Sequence, residues 1–352
     1  MNKRIYLSLM CLGVGIFSLG LCHAALAQNK VLYFVQTSPA NMIMQLNSKD
    51  LDGFIAWEPF NAAAVEQGVG RYLVQSGEIW PNHPCCVLAA SEEYRDEGVL
   101  RALVWAHMKA IQFIQDPRNK EKVLTHAQQF TGRERSIVKE ALQHVKFIEY
   151  PSPAEIKKYY QGLKEGRLIR KSASDLGFQD AEGFFADFLN QKYYQEVGVA
   201  LEKDPRWVPP SVPSGNMVRL GYLLQDIHQL PMFIADKEGY YAKVGLVPGK
   251  NLVLSFFANG VAVMEAFKVG DIDSAYLGGA PATLKRWNDD IKIWILMGSN
   301  DEGSALVVRK DSSIQNLSDL QGKTIAIPAV GTVQYFLLKI IADQLGYRLA
   351  LK

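Results

Sequence analysis

The sequence predicts a two-lobed α/β protein in which short parallel strands alternate with helices. Residues 38–59 and 259–281 share one pattern: a helix, an Asp-x-Asp tripeptide, a buried strand and a turn that contains proline. A chain of 352 residues is long enough for two domains, and residues 204–216 form a proline-rich joint unsuited to a helix or a central strand. Repeated αβ units indicate parallel sheets, in which ligands bind outside the carboxyl ends of the strands.

The remaining segments continue this pattern along the chain. A strand is expected at Val31–Val35, and a serine and a proline then provide a helix cap and a first helical residue. Residues 97–190 are expected to be mainly helical. The chain ends in a strand over 323–328 and a helix over 332–345, so a further αβ unit closes the sequence.

The N-terminus has the features of an export signal. Two basic residues precede an apolar run over 5–21, and residues 25–27 (Ala-Leu-Ala) supply the small-x-small pattern at which signal peptidase cuts. We therefore expect residues 1–27 to be removed and the mature chain to begin at Gln28 in the periplasm. A membrane anchor is the alternative, although polar and glycine residues interrupt the run. Lipidation at Cys22 fits poorly with the bulky leucine before it.

Charge and cysteine content exclude several protein classes. Without residues 1–27 the chain has 36 basic and 36 acidic residues, because that segment holds two of the 38 basic residues and no acidic one. A neutral chain lacks the one-sided basic surface of a nucleic-acid-binding protein, and no second apolar stretch is long enough to span a bilayer. The two remaining cysteines, Cys85 and Cys86, are adjacent and form no disulfide framework.

Polar and small residues after successive strands form one side of the predicted ligand site. Helices begin at these loops and present unpaired backbone N–H groups, and glycine permits close approach of the backbone. The candidate ligand-binding residues here are Gln225, Asp226, His228, Asn259, Gly260, Gly278 and Gly279. Asp226 and Asn259 could equally be plain helix caps, and His228 could be a core or surface residue.

The other lobe is expected to supply the facing side of the cleft. Its candidate ligand-binding residues are Gln36, Ser38, Trp57, Glu58, His83, Gly331 and Thr332. Trp57 ends a strand and is predicted to stack on the ligand, with a core or lobe-interface position as the alternative. Glu58 would be an unusual buried charge unless it pairs or points into the cleft. His83 lies where the chain is expected to cross between the lobes.

The most distinctive local string is Asn82-His83-Pro84-Cys85-Cys86. A histidine and two thiols are suitable ligands for zinc or copper. Adjacent strand residues point to opposite faces, however, so we expect that the two cysteines do not share one ion and that no metal is bound. They are instead predicted to be small buried residues of a crossover strand, with a vicinal disulfide as the alternative in an oxidising compartment.

Five motifs carry a resemblance to a known family. They are Ala56–Phe60 (AWEPF), Val218–Tyr222 (VRLGY), His228–Ala235 (HQLPMFIA), Phe257–Gly260 (FANG) and Ile327–Gln334 (IPAVGTVQ). The sequence resembles the sulfonate, nitrate, taurine and thiamine-precursor group of periplasmic solute-binding proteins of ABC transporters. In that family the part that resembles the second half of this chain comes first. The resemblance therefore implies a circularly permuted form of a two-lobed, type II-like fold.

The resemblance also implies domain boundaries and partners. The first lobe would comprise residues 89–203 with 217–309, the second lobe 28–88 with 310–352, and the joint 204–216. The implied protein is a receptor rather than an enzyme, a monomer without a cofactor that closes around a small molecule. It would then dock on the permease and ATPase subunits of an ABC importer.

Two other functions fit parts of the sequence. Thiamine pyrimidine precursor synthases resemble this fold and carry a cysteine-rich iron motif, which Pro84-Cys85-Cys86 matches in part, although an export signal argues against that enzyme. A sensory input domain is the third hypothesis, but no signalling module is recognised. The predicted cleft loops carry Asp226, Glu58 and Glu302 but no Lys or Arg. This favours a neutral or cationic heteroaromatic ligand over nitrate or a simple sulfonate.

Overall fold

The structure is a computed structural model that describes residues 30–94 and 96–352, so the predicted export signal lies outside the described residues. Its strands are β1 (Val31–Gln36), β2 (Gly53–Trp57), β3 (Gly70–Gln75), β4 (Pro84–Ser91), β5 (Val145–Phe147), β6 (Val218–Leu223), β7 (Leu252–Phe257), β8 (Ser274–Gly278), β9 (Ile293–Glu302), β10 (Ser304–Arg309), β11 (Thr324–Ile327) and β12 (Arg348–Leu351). They form two six-stranded mixed sheets. The predicted fold class, a two-lobed α/β protein, is confirmed.

Helices cover both sheets. They are α1 (Pro39–Asn47), α2 (Phe60–Glu66), α3 (Ser76–Ile79), α4 (Glu97–Gln115), α5 (Lys120–Thr131), α6 (Arg135–Ala141), α7 (Pro153–Glu165), α8 (Ala181–Phe188), α9 (Lys192–Lys203), α10 (Leu230–Lys237), α11 (Tyr240–Lys243), α12 (Gly260–Lys268), α13 (Gly279–Asn288) and α14 (Val333–Leu345). The predicted start of α1 is observed, because the Ser38 hydroxyl accepts a hydrogen bond from the Asn41 backbone N–H at 3.4 Å and Pro39 follows as the first helical residue.

The second lobe contains the sheet with strand order β12-β1-β11-β2-β10-β3. The first strand, β1, pairs in parallel with β11 and β12 near the end of the chain, with Tyr33 opposite Thr324 and Val31 opposite Arg348. This is the pairing that a rearranged segment order requires, while the permutation itself stays a prediction. The sequence analysis did not anticipate β12, which separates the last helix from a direct continuation into β1.

The first lobe contains the sheet with strand order β5-β9-β4-β8-β6-β7. The long helix α4 covers it and buries a continuous apolar face, including Leu100, Leu103, Val104 and Ile111. Each such side chain contributes about 1.5–3 kcal/mol when it leaves water, so α4 anchors the sheet. The proline-rich joint forms no helix or strand and packs on this lobe, where the Trp207 carbonyl accepts a 2.8 Å hydrogen bond from Trp105 Nε1.

The chain crosses between the sheets earlier than the sequence boundaries suggested. The strand β4 starts at Pro84 and belongs wholly to the first lobe, so the boundary expected after residue 88 lies near residue 83. The return crossing is at Gly303, because β9 ends at Glu302 in one sheet and β10 begins at Ser304 in the other. An apolar strand such as β10 does not reveal from its sequence alone which sheet it joins.

Candidate functional site

A small cavity lies between the lobes, at the carboxyl ends of β2, β6, β8 and β11. Its volume is about 20 Å³, room for about one water molecule. Its lining residues are Trp57, Cys85, Cys86, Leu223, Asp226, His228, Gly260, Gly278, Pro281, Thr332, Val333 and Gln334. Both lobes contribute and the lining side chains are buried, so a solute larger than water needs the lobes to move apart. The predicted position of a ligand site at the strand ends agrees with this cavity.

His228 is fully buried and lines the cavity. It lies in a short 3₁₀ turn, Ile227–Gln229, which Asp226 caps by accepting a 3.0 Å hydrogen bond from the His228 backbone N–H. The ring Nε2 lies 2.9 Å from the carbonyl oxygen of Gly303 and therefore carries a proton that it donates. The other ring nitrogen, Nδ1, is 3.4 Å from Asp226 Oδ1.

Both adjacent cysteines face His228. The sulfur of Cys85 is 3.4 Å from His228 Nδ1 and the sulfur of Cys86 is 4.0 Å from the same atom. The expectation that the two thiols point to opposite faces of a strand is therefore wrong. The reason is a local irregularity, because the register between β4 and β9 shifts on both sides of Cys86 and such a bulge re-aims successive side chains.

Burial and close contact shift the pKa values of this cluster. Burial raises the pKa of Asp226 to about 7. Burial alone would lower the pKa of His228, but Asp226 and Cys85 outweigh it and raise that pKa to about 9. The hydrogen bond from Cys86 lowers the pKa of the Cys85 thiol well below its usual range, and the same bond together with burial raises the pKa of Cys86. Cys85 is thus the more acidic thiol of the pair.

The cluster does not form a nucleophile–base–orienter chain. In such a triad the carboxylate holds one ring nitrogen of the histidine while the other nitrogen faces the nucleophile. Here Asp226 and Cys85 both approach Nδ1, and the backbone carbonyl of Gly303 occupies the other nitrogen. The geometry concentrates several donor atoms around one point instead.

Gly303 connects this cluster to the other lobe. Its carbonyl oxygen accepts hydrogen bonds from His228 Nε2 and from the backbone N–H of Glu58, each at 2.9 Å. Its φ of 80° lies in the left-handed region that favours glycine. A Cβ atom at this position would lie 2.2 Å from His228 Nε2, so the crossing leaves no space for a side chain.

Glu58 is a structural residue rather than a cavity residue. Its Oε2 accepts a 3.0 Å hydrogen bond from the backbone N–H of Ala62, in the first turn of α2, and its Oε1 accepts a 3.3 Å hydrogen bond from the Tyr72 hydroxyl. Burial raises the pKa of this carboxyl group. The prediction that Glu58 either pairs or faces the cleft is thus resolved in favour of pairing.

The predicted site residues divide into two groups. The cavity brings together Asp226, His228, Gly260, Gly278, Trp57 and Thr332, and its lining does not include Gln225, Asn259, Gly279, Gln36, Ser38, Glu58, His83 and Gly331. Two of the latter are helix caps, because Asn259 Oδ1 accepts from two backbone N–H groups of α12 and Ser38 caps α1. Gln225 lies beside Gly132 in the first lobe.

Three more of these residues have a structural position outside the cavity lining. Gly279 packs on α7, Gln36 accepts a 2.8 Å hydrogen bond from the Val330 backbone N–H, and His83 packs on Trp80 with ring centroids 5.6 Å apart. Neither ring nitrogen of His83 has a hydrogen-bond partner. Burial lowers the pKa of His83, so its imidazole stays neutral.

Sequence reasoning missed some lining residues and set others aside. The cavity lining also includes three apolar residues that were not predicted, Leu223, Pro281 and Val333. Each lies within a few residues of a predicted loop residue, so their positions near strand ends could have indicated them. Cys85 and Cys86 also line the cavity, because the register shifts around Cys86 break the alternation expected of a regular strand. In the described part of the chain, no helix combines the length and apolar character that crossing a membrane requires.

Two family models match separate parts of the chain. Residues 18–127 match the NMT1-like family, and residues 247–338 match the family described as ABC transporter, phosphonate, periplasmic substrate-binding protein. The first match contains Trp57 and both cysteines, and the second contains Gly260, Gly278 and Thr332.

Several curated proteins are similar over part of the chain. The nitrate import ATP-binding protein NrtC of Synechocystis sp. is 27% identical over 227 residues, which cover 59% of this chain and 29% of that protein. The nitrate/nitrite binding protein NrtA of Nostoc sp. is 28% identical over 87 residues, 24% of this chain and 20% of that protein. The taurine-binding periplasmic protein of Escherichia coli is 30% identical over 109 residues, 31% of this chain and 32% of that protein.

The chain thus spans about a third or less of the length of these relatives. The family matches nevertheless include strands of both sheets and residues on both sides of the cavity. They agree with the resemblance found in the sequence, because two separate parts of the chain are similar to periplasmic substrate-binding proteins of ABC transporters.

Proposed function

We propose that the chain is the solute-binding component of an ABC importer, which captures a small molecule between its two lobes and delivers it to a membrane permease. The cavity carries this proposal, because it lies between the lobes and is lined by buried residues at the carboxyl ends of strands in both sheets. Hinge closure around a ligand explains such a site. Export to the periplasm, cleavage before Gln28, a monomeric state and docking on permease and ATPase subunits belong to this proposal.

The charge of the lining supports a neutral or cationic ligand. Among the lining residues that the structure describes, Asp226 is acidic and none is Lys or Arg. An anion would have to rely on the N-termini of α12, α13 and α14, which begin at or beside lining residues. A heteroaromatic solute of the thiamine-precursor class could contact Trp57 and donate a hydrogen bond to Asp226, whereas nitrate, taurine and phosphonate are the ligand classes of the similar proteins by name.

Ligand binding is tested directly with the purified mature chain. Thermal unfolding in the presence of nitrate, taurine, alkyl sulfonates, phosphonates, thiamine precursors and flavins identifies a binder, and small-angle X-ray scattering measures whether the lobes close on it. We expect saturable binding with closure and without turnover. If no compound of the panel shifts unfolding and the scattering never changes, the receptor function is wrong for these solute classes.

A glycine pair provides a matched test of the cavity. A Cβ atom at Gly278 would lie 3.2 Å from Val333 Cγ2 of the other lobe, so Gly278→Ala should oppose closure. Overpacking of this kind costs about 1–3 kcal/mol, which corresponds to roughly 5- to 150-fold weaker binding. Gly215→Ala is the control, because no atom lies within 4 Å of its added Cβ. If Gly278→Ala and Gly215→Ala bind the ligand equally well, the ligand binds elsewhere. Gln225→Ala is a second control and should also leave the affinity unchanged, because Gln225 does not line the cavity.

One observation favours an enzyme as a second candidate function. Cys85 and His228 form a close thiol–imidazole pair at 3.4 Å, which is the contact that activates a cysteine nucleophile. The position of Asp226 on the same ring nitrogen argues against it. Incubation of bound candidates with the protein, followed by mass spectrometry, distinguishes the two functions, since a receptor releases its ligand unchanged.

A further inference from the structure

We propose that Cys85, Cys86 and His228 form a site for a thiophilic metal ion, with Zn²⁺ as the ion that fits best. All three residues belong to the first lobe and line the cavity. Because one lobe supplies all three ligands, metal binding at this place does not require the two lobes to close. It also reverses the expectation from the sequence that no metal is bound.

The distances between the donor atoms suit one ion. One ligand atom from each residue can be chosen so that all three lie within 4.8 Å of one another. The two sulfur–nitrogen distances are 3.4 Å and 4.0 Å. In tetrahedral zinc sites, Zn–S and Zn–N bonds of about 2.3 Å and 2.0–2.1 Å place sulfur and nitrogen about 3.6 Å apart. The observed pair brackets this value, so an ion could be accommodated with small side-chain movements.

The histidine is held in the orientation that a metal ligand needs. Metal-binding histidines usually donate their second N–H group to a carbonyl or carboxylate, which fixes the tautomer. His228 donates from Nε2 to the Gly303 carbonyl oxygen at 2.9 Å, and this aims Nδ1, which a metal ion would bind in place of its proton, toward the sulfurs. A backbone carbonyl at a crossing between lobes is a rigid anchor for this role.

Protons satisfy these groups when no metal ion is bound. The Asp226 carboxylate lies 3.4 Å from the same Nδ1, and its Oδ2 accepts a 3.7 Å hydrogen bond from the Cys86 thiol. A divalent ion would release the protons of the two thiols and of Nδ1 and would contact all three donor atoms at once. The neighbouring Asp226 carboxylate adds a negative charge that favours a cation at this place.

Burial decides which ion fits best. Cys85 and Cys86 are 2% exposed and His228 is fully buried, so an unbalanced charge here is costly. Two thiolates and a neutral imidazole with a divalent ion give a sum of zero, while Cu⁺ would leave one negative charge in addition to Asp226. Zinc also accepts this mixture of sulfur and nitrogen ligands. Three protein ligands leave a fourth position on the cavity side, as in zinc sites that bind an additional group.

The test uses the mature protein, reduced and stripped with a chelator under anaerobic conditions. Zn²⁺ is added, and after gel filtration the metal content is measured by mass spectrometry and the free thiols by reaction with Ellman's reagent. We expect one Zn²⁺ per chain and protection of both thiols, together with a thiolate charge-transfer band when Co²⁺ replaces Zn²⁺. A stoichiometry near zero, or thiols that react equally with and without Zn²⁺, would overturn the proposal.

Variants assign the ligands. Cys86→Ser and His228→Gln should each weaken Zn²⁺ binding at least tenfold, measured by competition with a chromogenic chelator, whereas His83→Gln should bind as the unmodified chain does. His83 is the matched control because it is equally buried but does not line the cavity. If a variant fails to fold, thiol protection in the unmodified chain still decides the question. Unchanged affinity in both ligand variants, or a Cys85–Cys86 disulfide that persists in reductant, would contradict the site.

Discussion

Substitution of His107 should reveal a buried neutral imidazole that links the fold to pH. His107 lies on α4 and is fully buried. Its Nε2 donates to the carbonyl oxygen of Gly298 at 2.6 Å, and its Nδ1 lies 2.8 Å from the hydroxyl of Tyr276. Gly298 is paired with Val87 of β4, so His107 ties the covering helix to the strands beside the cavity.

The expected change in the free energy of unfolding with pH follows from the shift in the pKa of His107. Burial lowers the pKa of His107 to about 4 from an ordinary value of 6.5. The unfolded chain therefore binds more protons than the folded chain between these values. Stability is complete above pH 6.5 and falls as the pH is lowered toward 4, and a shift of this size corresponds to about 3 kcal/mol in the free energy of unfolding.

The assay compares denaturant unfolding of the unmodified chain and His107→Gln at several values between pH 7 and pH 4. Glutamine keeps a donor and an acceptor but does not titrate, and other titrating groups contribute equally to both proteins. We expect the unmodified chain to lose about 3 kcal/mol more than the variant over this range. This shift in the pKa of His107 is refuted if the two proteins differ in free energy of unfolding by the same amount, to within about 0.5 kcal/mol, at every pH tested.

Three further predictions concern the crossing, the cleft and the chain order. Gly303→Ala should lower the free energy of unfolding by about 2–4 kcal/mol and weaken metal binding, because the added Cβ would displace His228. Chemical unfolding measures the first effect, and an unchanged free energy of unfolding would contradict it. Trp57→Ala should also destabilise the ligand-free protein, by about 3–5 kcal/mol, since Trp57 is buried; a purely ligand-contacting role would leave thermal unfolding unchanged. A reordered gene with residues 218–352, a linker of about twelve residues and then 30–200 should yield soluble protein with the same ligand affinity. The linker is needed because β12 and β1 run parallel, and aggregation under conditions where the parent is soluble would count against the permutation.

Local signals in the sequence are sufficient to predict most helices and strands, but they do not show which sheet each strand joins. The cap at Ser38 and the apolar run over Gly53–Trp57 predict α1 and β2 correctly, because both depend on neighbouring residues. The strand β10 was placed in the wrong lobe, since its partners β2 and β3 are more than 200 residues away in the chain. The strand β12 was missed because Arg348–Leu351 is a short, partly exposed edge strand with little apolar patterning.

The candidate site shows a different limit. Loops at strand ends were identified correctly, yet residue type does not separate a helix cap such as Asn259 from a cavity residue such as Asp226, because both residues accept backbone hydrogen bonds. The cysteine pair was misjudged for a structural reason. Alternation of side chains holds for a regular strand, and the register shifts around Cys86 depend on the partner strand β9.

The carbonyl group of Gly303 gives the molecule a mechanical property. The same oxygen atom is bonded to Glu58 in one lobe and to His228 in the other, at the residue where the chain crosses between them. Atoms at a pivot move least, so a rotation of the lobes about this crossing changes the directions of the two bonds more than their lengths. The carbonyl group would thus couple the orientation of the His228 imidazole to the angle between the lobes.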